Sequence, residues 1–317
     1  MTRYLIRRLI LLALTLLLTS VIIFTLTQLL PGDIARLILG RDASDVALQE
    51  FRVANGLDQP IPTQYVMWLT DFLRGDWGNS YDRGNFEIRP HVITRLENSL
   101  RLALFTIIIA IPLAILLGVI AALRRDGVLD SVISISTLAA VGLPEFVTAI
   151  ILTTLLAGDR TPYRFASTAF VTSNMALEDW IRILTLPALT ATLVLLGYIT
   201  RMTRAGVIDE INKQYVRTAI LKGLPPRVVI FKHVLRNALL PTITVIAIST
   251  GWLIGGLVVI EQVFNYPGLG RELIQAVKSK NVPLIQALVL IMVFFYAFAN
   301  LIADLMYAML NPRIRFE

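Results

Sequence analysis

The chain has 317 residues, 56% of them hydrophobic and only 16% charged, well below the roughly 25% charged residues of an ordinary soluble domain. It has no cysteine, which excludes disulfides, thiolate catalysis and cysteine-held metal. Lys and Arg outnumber Asp and Glu 29 to 22, and in so apolar a chain the resulting +7 points to membrane topology rather than to nucleic acid.

A bilayer core about 30 Å thick is crossed by roughly 20 apolar residues in helix. The first run of that length is Leu9–Leu30, behind Arg3, Arg7 and Arg8. It is longer than a signal-peptide core and ends in Gln28-Leu-Leu-Pro-Gly rather than at a small-residue cleavage site, so it is expected to be a retained anchor. Residues 31–98 are more polar. Ser44 is placed to cap a helix reaching Ala54 and closed by Asn55-Gly56, and Thr63 to cap a second one that Gly75 stops. Leu102–Leu123 is the second span and Ser131–Ala157 the third, the latter carrying Glu145 just after Pro144. A carboxylate at that depth costs at least about 2.5–3.5 kcal/mol unless it faces a cavity or a partner, so Pro144 and Glu145 are candidates for the wall of a translocation path. Ile183–Thr200, with Pro187 near its start, is the shortest span. Ala238–Ile260 is the fifth and ends at Glu261, expected to have a structural or gating role. Leu284–Ala303 is the sixth, with Asp304 at its end expected to pair with a basic loop residue.

Between the fourth and fifth spans lie two basic segments. KQYVRTAILK (213–222) reads as a short helix ended by Gly223, with Pro225-Pro226 barring its continuation. On a wheel at 100° per residue, residues 227–239 form an amphipathic helix suited to a membrane surface: Ile230, Phe231, Val234 and Ala238 on one half, Lys232, His233, Arg236 and Asn237 on the other, and Val229 an apolar exception among the basic residues. Fifteen basic residues fall on one side of the six spans, against six in the short loops opposite, which predicts cytoplasmic termini and a cytoplasmic 201–237 loop. The chain therefore reads as an all-α, polytopic membrane protein with six transmembrane helices. Its expected divisions are a tip and first span (1–30), an external helical segment (31–98), a membrane domain (99–310) and a tail (311–317).

RTAILKGL followed by HVLRNALLP resembles the cytoplasmic EAA loop of ABC importer permeases, in the form found among dipeptide, oligopeptide and nickel transporters. LTQLLPGD, GLDQPIPTQYVMWL, RGDWGNS, LPALT, GGLVVIEQVFNYPGLGR and DLMYAMLNPRIR are similar to further family motifs, in the same order along about 300 residues. The likeness is to the first, "B"-type permease, with two departures: Arg217 stands where the general motif has an acid, and residues 158–182 lack the proline-glycine pattern expected after the third span.

The resemblance implies a type I importer permease fold in a bacterial inner membrane. It implies a coupling helix of Arg217, Thr218, Ala219, Ile220, Leu221, Lys222, Gly223 and Leu224, which would contact one of two separate ABC ATPase subunits that bind ATP and Mg. It further implies a second homologous permease, and a periplasmic binding protein docking near Asp76, Trp77, Tyr266 and Pro267. Small peptides are the first expectation for cargo, with nickel chelates, glutathione and oligosaccharides as alternatives. No phosphate-binding loop of the G-x-x-x-x-G-K-[ST] type occurs, so no ATPase site of its own is expected. No cofactor, metal or nucleic acid is expected on this chain, and membrane lipid is its surroundings. An ion-coupled secondary transporter would be expected to bury several ionisable groups, where one lies mid-span here.

Overall fold

A computed structural model describes residues 2–29, 34–39, 43–54, 56–81, 85–158, 165–169, 171 and 175–310. The chain is helical: α1 (Thr2–Gln28), α2 (Ile34–Leu39), α3 (Asp45–Ala54), α4 (Ile61–Arg74), α5 (Ile88–Leu123), α6 (Val128–Gly142), α7 (Glu145–Leu156), α8 (Leu177–Ile211), α9 (Gln214–Leu221), α10 (Pro226–Val228), a π-helical turn at Val229–Val234, then α11 (Leu235–Gly256), α12 (Val258–Val263), α13 (Leu269–Ser279) and α14 (Val282–Leu310). Five helices are long and apolar enough to cross a membrane, and a bent pair supplies the sixth span. Each candidate span contains the expected apolar run or most of it, and some helices are longer, because α5 begins in polar residues before its apolar run and α8 has polar residues at both ends.

The third span is not one rod. α6 and α7 meet at 111°, at the break Leu143–Pro144. Pro144 has no N–H to donate and disfavours helix in the residue before it, so Leu143 is extended and Pro144 starts a new helix as its N-cap.

α5, α8 and α11 form the centre. Alanines pack where these helices cross, among them Ala110 and Ala114 of α5 and Ala188 and Ala191 of α8, all fully buried. Small residues suit a bundle in lipid, where close backbone approach drives association. α14 packs on α11 and α1 on α14. At the cytoplasmic end Arg8 reaches Asp304 at 2.7 Å, so the partner of Asp304 comes from the first span and not from a loop.

The external segment sits on the outer half of α1. Ser20 and Tyr65 share a hydrogen bond of 2.8 Å, and Phe24 meets the rings of Tyr65 and Trp68 at 5.4 and 5.5 Å. Ser44 accepts from the N–H of Ala47, as a cap of α3 should. α4 begins two residues before Thr63, at Ile61 behind Pro60, because a proline supplies the preset φ that a helix start requires. Gly75, at φ +91°, ends it as expected.

The surface-helix reading of 227–239 is corrected. This stretch is the start of the fifth span, continuous through the π turn into α11. A π turn advances the chain by less than 100° per residue, so the simple wheel loses phase. Val229, set by that wheel on the basic half, is 4% exposed, whereas Phe231, set on the apolar half, is 70% exposed.

Candidate functional site

The short cytoplasmic helix α9 runs Gln214–Leu221; Lys222 caps it and Gly223 turns the chain with φ +74°. The expected coupling stretch 217–224 therefore comprises the last turns of a helix and the turn that follows. One face of α9 is fixed: Val216 and Ala219 are buried against Val119 and Ala122 of α5, Val207 of α8 and Val229, Val234 and Ala238 of the fifth span. Its start is tied by Tyr215, whose hydroxyl donates to Glu210 Oε1 at 2.7 Å and accepts from Asn237 Nδ2 at 3.2 Å. Lys213 completes the cluster on Glu210 Oε2.

The other face is bare. Ile220 is 60% and Leu221 80% exposed, between the exposed Arg217, Thr218 and Lys222. A β-carbon built on Gly223 meets nothing within 4 Å. α9 is thus a small apolar and basic knob, rigidly attached to the cytoplasmic ends of α5, α8 and α11. The tie among Tyr215, Glu210 and Asn237 was not picked out from the sequence; its one sign was an acid followed three residues later by a lysine at the mouth of a basic loop.

Glu145 opens α7 at the bend of the broken span. It is half-buried, and its Oε2 is buried with no hydrogen-bond partner among the described residues. Burying such an oxygen without a donor is costly, which sets Glu145 apart from the paired acids of the bundle.

Glu261 takes the opposite course. It is 1% exposed, and its carboxylate accepts from Ser99 Oγ at 2.6 Å, from the N–H of Gly270 at 2.8 Å and from that of Arg271 at 3.2 Å. Ser99 Oγ accepts in turn from the N–H of Leu269. Glu261 therefore caps the N-terminus of α13 from outside that helix. Burial pushes its carboxyl up, to about 7, against the pull of these donors. Tyr266 is fully buried and donates to the carbonyl of Asn98, while Asn98 Nδ2 donates to the carbonyl of Pro267. The docking expectation for the Tyr266 side chain is corrected on this point: the ring holds the 264–268 turn to α5 and does not reach the surface. On the next turn Glu272 binds His91 at 3.0 Å and Arg95 at 2.9 Å. Burial raises the Glu272 carboxyl, but the hydrogen bond from His91 and the charge of Arg95 outweigh it and hold the group below its ordinary value.

Asp76 is exposed and Trp77 half-buried, stacked on Phe72 at 4.9 Å. They lie beside a cavity of about 270 Å³ on the external side. Trp77 shares an apolar cluster with Ile88, Val92 and Leu269, so the α4–α5 and α12–α13 turns rest on one support.

Comparison with known proteins agrees with this arrangement. Residues 114–316 match the family described as binding-protein-dependent transport system inner membrane component, and residues 1–86 match its N-terminal companion. A probable peptide ABC transporter permease of Sinorhizobium fredii is 35% identical over 316 residues, covering 99% of both chains. The oligopeptide transport permease AppB of Bacillus subtilis and the glutathione transport permease GsiC of Pectobacterium atrosepticum are each 33% identical, over the full length of both chains. On this family match and these full-length similarities, the chain belongs to the inner-membrane permease components of binding-protein-dependent ABC transport systems.

Proposed function

We propose that this chain is one half of the membrane pathway of an ATP-driven importer of small peptides, moved by ATPase subunits that bind ATP and Mg and grip α9. The observation that carries the reading is the pair of exposed apolar side chains, Ile220 and Leu221, on a helix whose other face is locked to three spans. Burying one such side chain in a partner's groove contributes about 1.5–3 kcal/mol, and the tie from Tyr215 to Glu210 makes the knob move with α8. A second, homologous permease completes the pathway, two ATPases lie below, and a binding protein delivers cargo to the external turns around Asp76 and Pro267. No chemistry on the cargo is assigned to this chain.

Peptides lead because relatives at 35% and 33% identity are named peptide and oligopeptide permeases. Glutathione, itself a small peptide, follows from a third relative at 33%. In the assembled transporter, Leu221→Glu puts a charge into the docking groove. It is expected to cut peptide uptake by more than tenfold and to release the ATPases on purification, while the chain still inserts. Normal uptake and retained ATPases in that variant would overturn the assignment.

A further inference from the structure

Between α6 and α8 lies a cleft of about 280 Å³, on the cytoplasmic half of the membrane domain. Its α6 wall is Ser134, Thr137, Leu138 and Val141, spaced as one face of a helix; its α8 wall runs from Gly197 to Arg204. The two walls are clamped at both ends. Toward the membrane centre they touch at Gly197, where an added β-carbon would lie 2.0 Å from Val141 Cγ2 and 2.9 Å from the Thr137 carbonyl. Toward the cytoplasm Arg204 grips the buried Asp130 with two hydrogen bonds of 2.6 Å. Seven residues of helix separate Gly197 from Arg204, about 10 Å at 1.5 Å per residue, and the cleft lies between them.

Most polar groups lining it are already used. Ser134 and Arg204 bind Asp130, Thr137 binds carbonyls of its own helix, and Thr200 binds the carbonyl of Ala114. Two groups remain without a hydrogen bond or ion pair among the described residues: the Arg201 guanidinium and the Tyr198 hydroxyl, one helical turn apart. No acid lines the cleft, and Asp130 neutralises Arg204, so the net charge left is that of Arg201. A free guanidinium and a phenol beside the apolar side chains of Leu138 and Val141 match a carboxylate carried on a partly apolar body.

We propose that this cleft receives the C-terminal carboxylate of a peptide cargo on the inward side of the pathway, Arg201 supplying the charge and Tyr198 a second donor. The proposal rests on the importer reading above and names the end of the cargo that is held. The volume is just under the range of about 300–1,000 Å³ that encloses a whole small ligand, so it holds a terminal residue and not an entire peptide. A phospholipid phosphate has the same charge, and the test below separates the two by whether the effect follows the cargo terminus or the lipid content of the vesicles.

The test uses the complete transporter, with its second permease, ATPases and binding protein, in vesicles supplied with ATP. One peptide is offered with a free C-terminus and as its C-terminal amide. Arg201→Gln is expected to lower uptake of the free acid on the order of tenfold, the value of one charged hydrogen bond, and to leave amide uptake unchanged. Arg201→Lys should restore most of the loss, and Tyr198→Phe should give a smaller loss confined to the free acid. Equal losses on acid and amide, or none on either, would overturn the proposal. So would a loss that follows the anionic lipid content of the vesicles and not the cargo terminus, which would assign Arg201 to lipid phosphate. Absence of peptide uptake by the unaltered transporter would instead bring down the importer reading, and this proposal with it.

Discussion

At the scale of single residues, charges in apolar surroundings sort into those that hold the fold and those left open. Asp304, Asp130, Glu261 and Glu272 all have partners, and each joins helices far apart in sequence; Ser99 and Glu261, for instance, are 162 residues apart. Glu145 is different, with a buried Oε2 and no donor among the described residues. Its position inside an apolar run was readable from the sequence, because one acid among some twenty apolar residues stands out. The ties were not readable: a serine or asparagine near a helix end carries no local sign of a partner 160 residues away. Glu145→Gln keeps the shape and removes the charge. Competition between a peptide with a free amino terminus and its N-acetylated form is expected to favour the free amine about tenfold in the unaltered transporter and hardly at all in the variant. An unchanged preference would remove Glu145 from cargo recognition.

At the scale of elements, five of the six apolar runs became the helices their lengths predicted. The exceptions came from local chemistry that a hydropathy pattern does not weigh. Leu143-Pro144 bent the third span by 111°, and a π turn at Val229–Val234 rotated the basic stretch so that Val229, not Phe231, entered the core. The attachment of α13 carries a pH prediction. Glu272 has a lowered carboxyl, so its contribution is complete above the ordinary carboxylate range, about 4, and is lost as pH falls through its folded value. Glu261 has a raised one, so its contribution is complete below the ordinary value and is lost as pH rises through about 7. Hydrogen-exchange protection factors of the α13 amides are therefore expected to be highest near the ordinary carboxylate value, about 4, to fall below it as Glu272 is protonated, and to decline as pH rises from there toward about 7. Protection that climbs steadily into alkaline pH would mean that Glu261 is held as a fully ionised cap.

At the scale of the whole molecule, three arrangements share one bundle: an external cap on α1 and α5, a broken third span with an open carboxylate, and a cytoplasmic knob fixed to the ends of α5, α8 and α11. The order of these parts was legible because each has a sequence signature of its own: apolar runs, a Gly-Leu-Pro-Pro break, and basic residues concentrated on one side. Their mutual fixation was not, because it depends on close contacts such as Gly197 against Val141 that composition does not encode. On the proposed reading this chain is a conduit whose motion is imposed from outside. The most direct test is reconstitution into sealed vesicles, measuring peptide accumulation against a gradient with this chain alone and then with its second permease, its ATPases, its binding protein and ATP. The account predicts no accumulation by the chain alone, whatever ion gradient is imposed, and ATP-dependent accumulation by the full set. Uphill uptake by the isolated chain would contradict it.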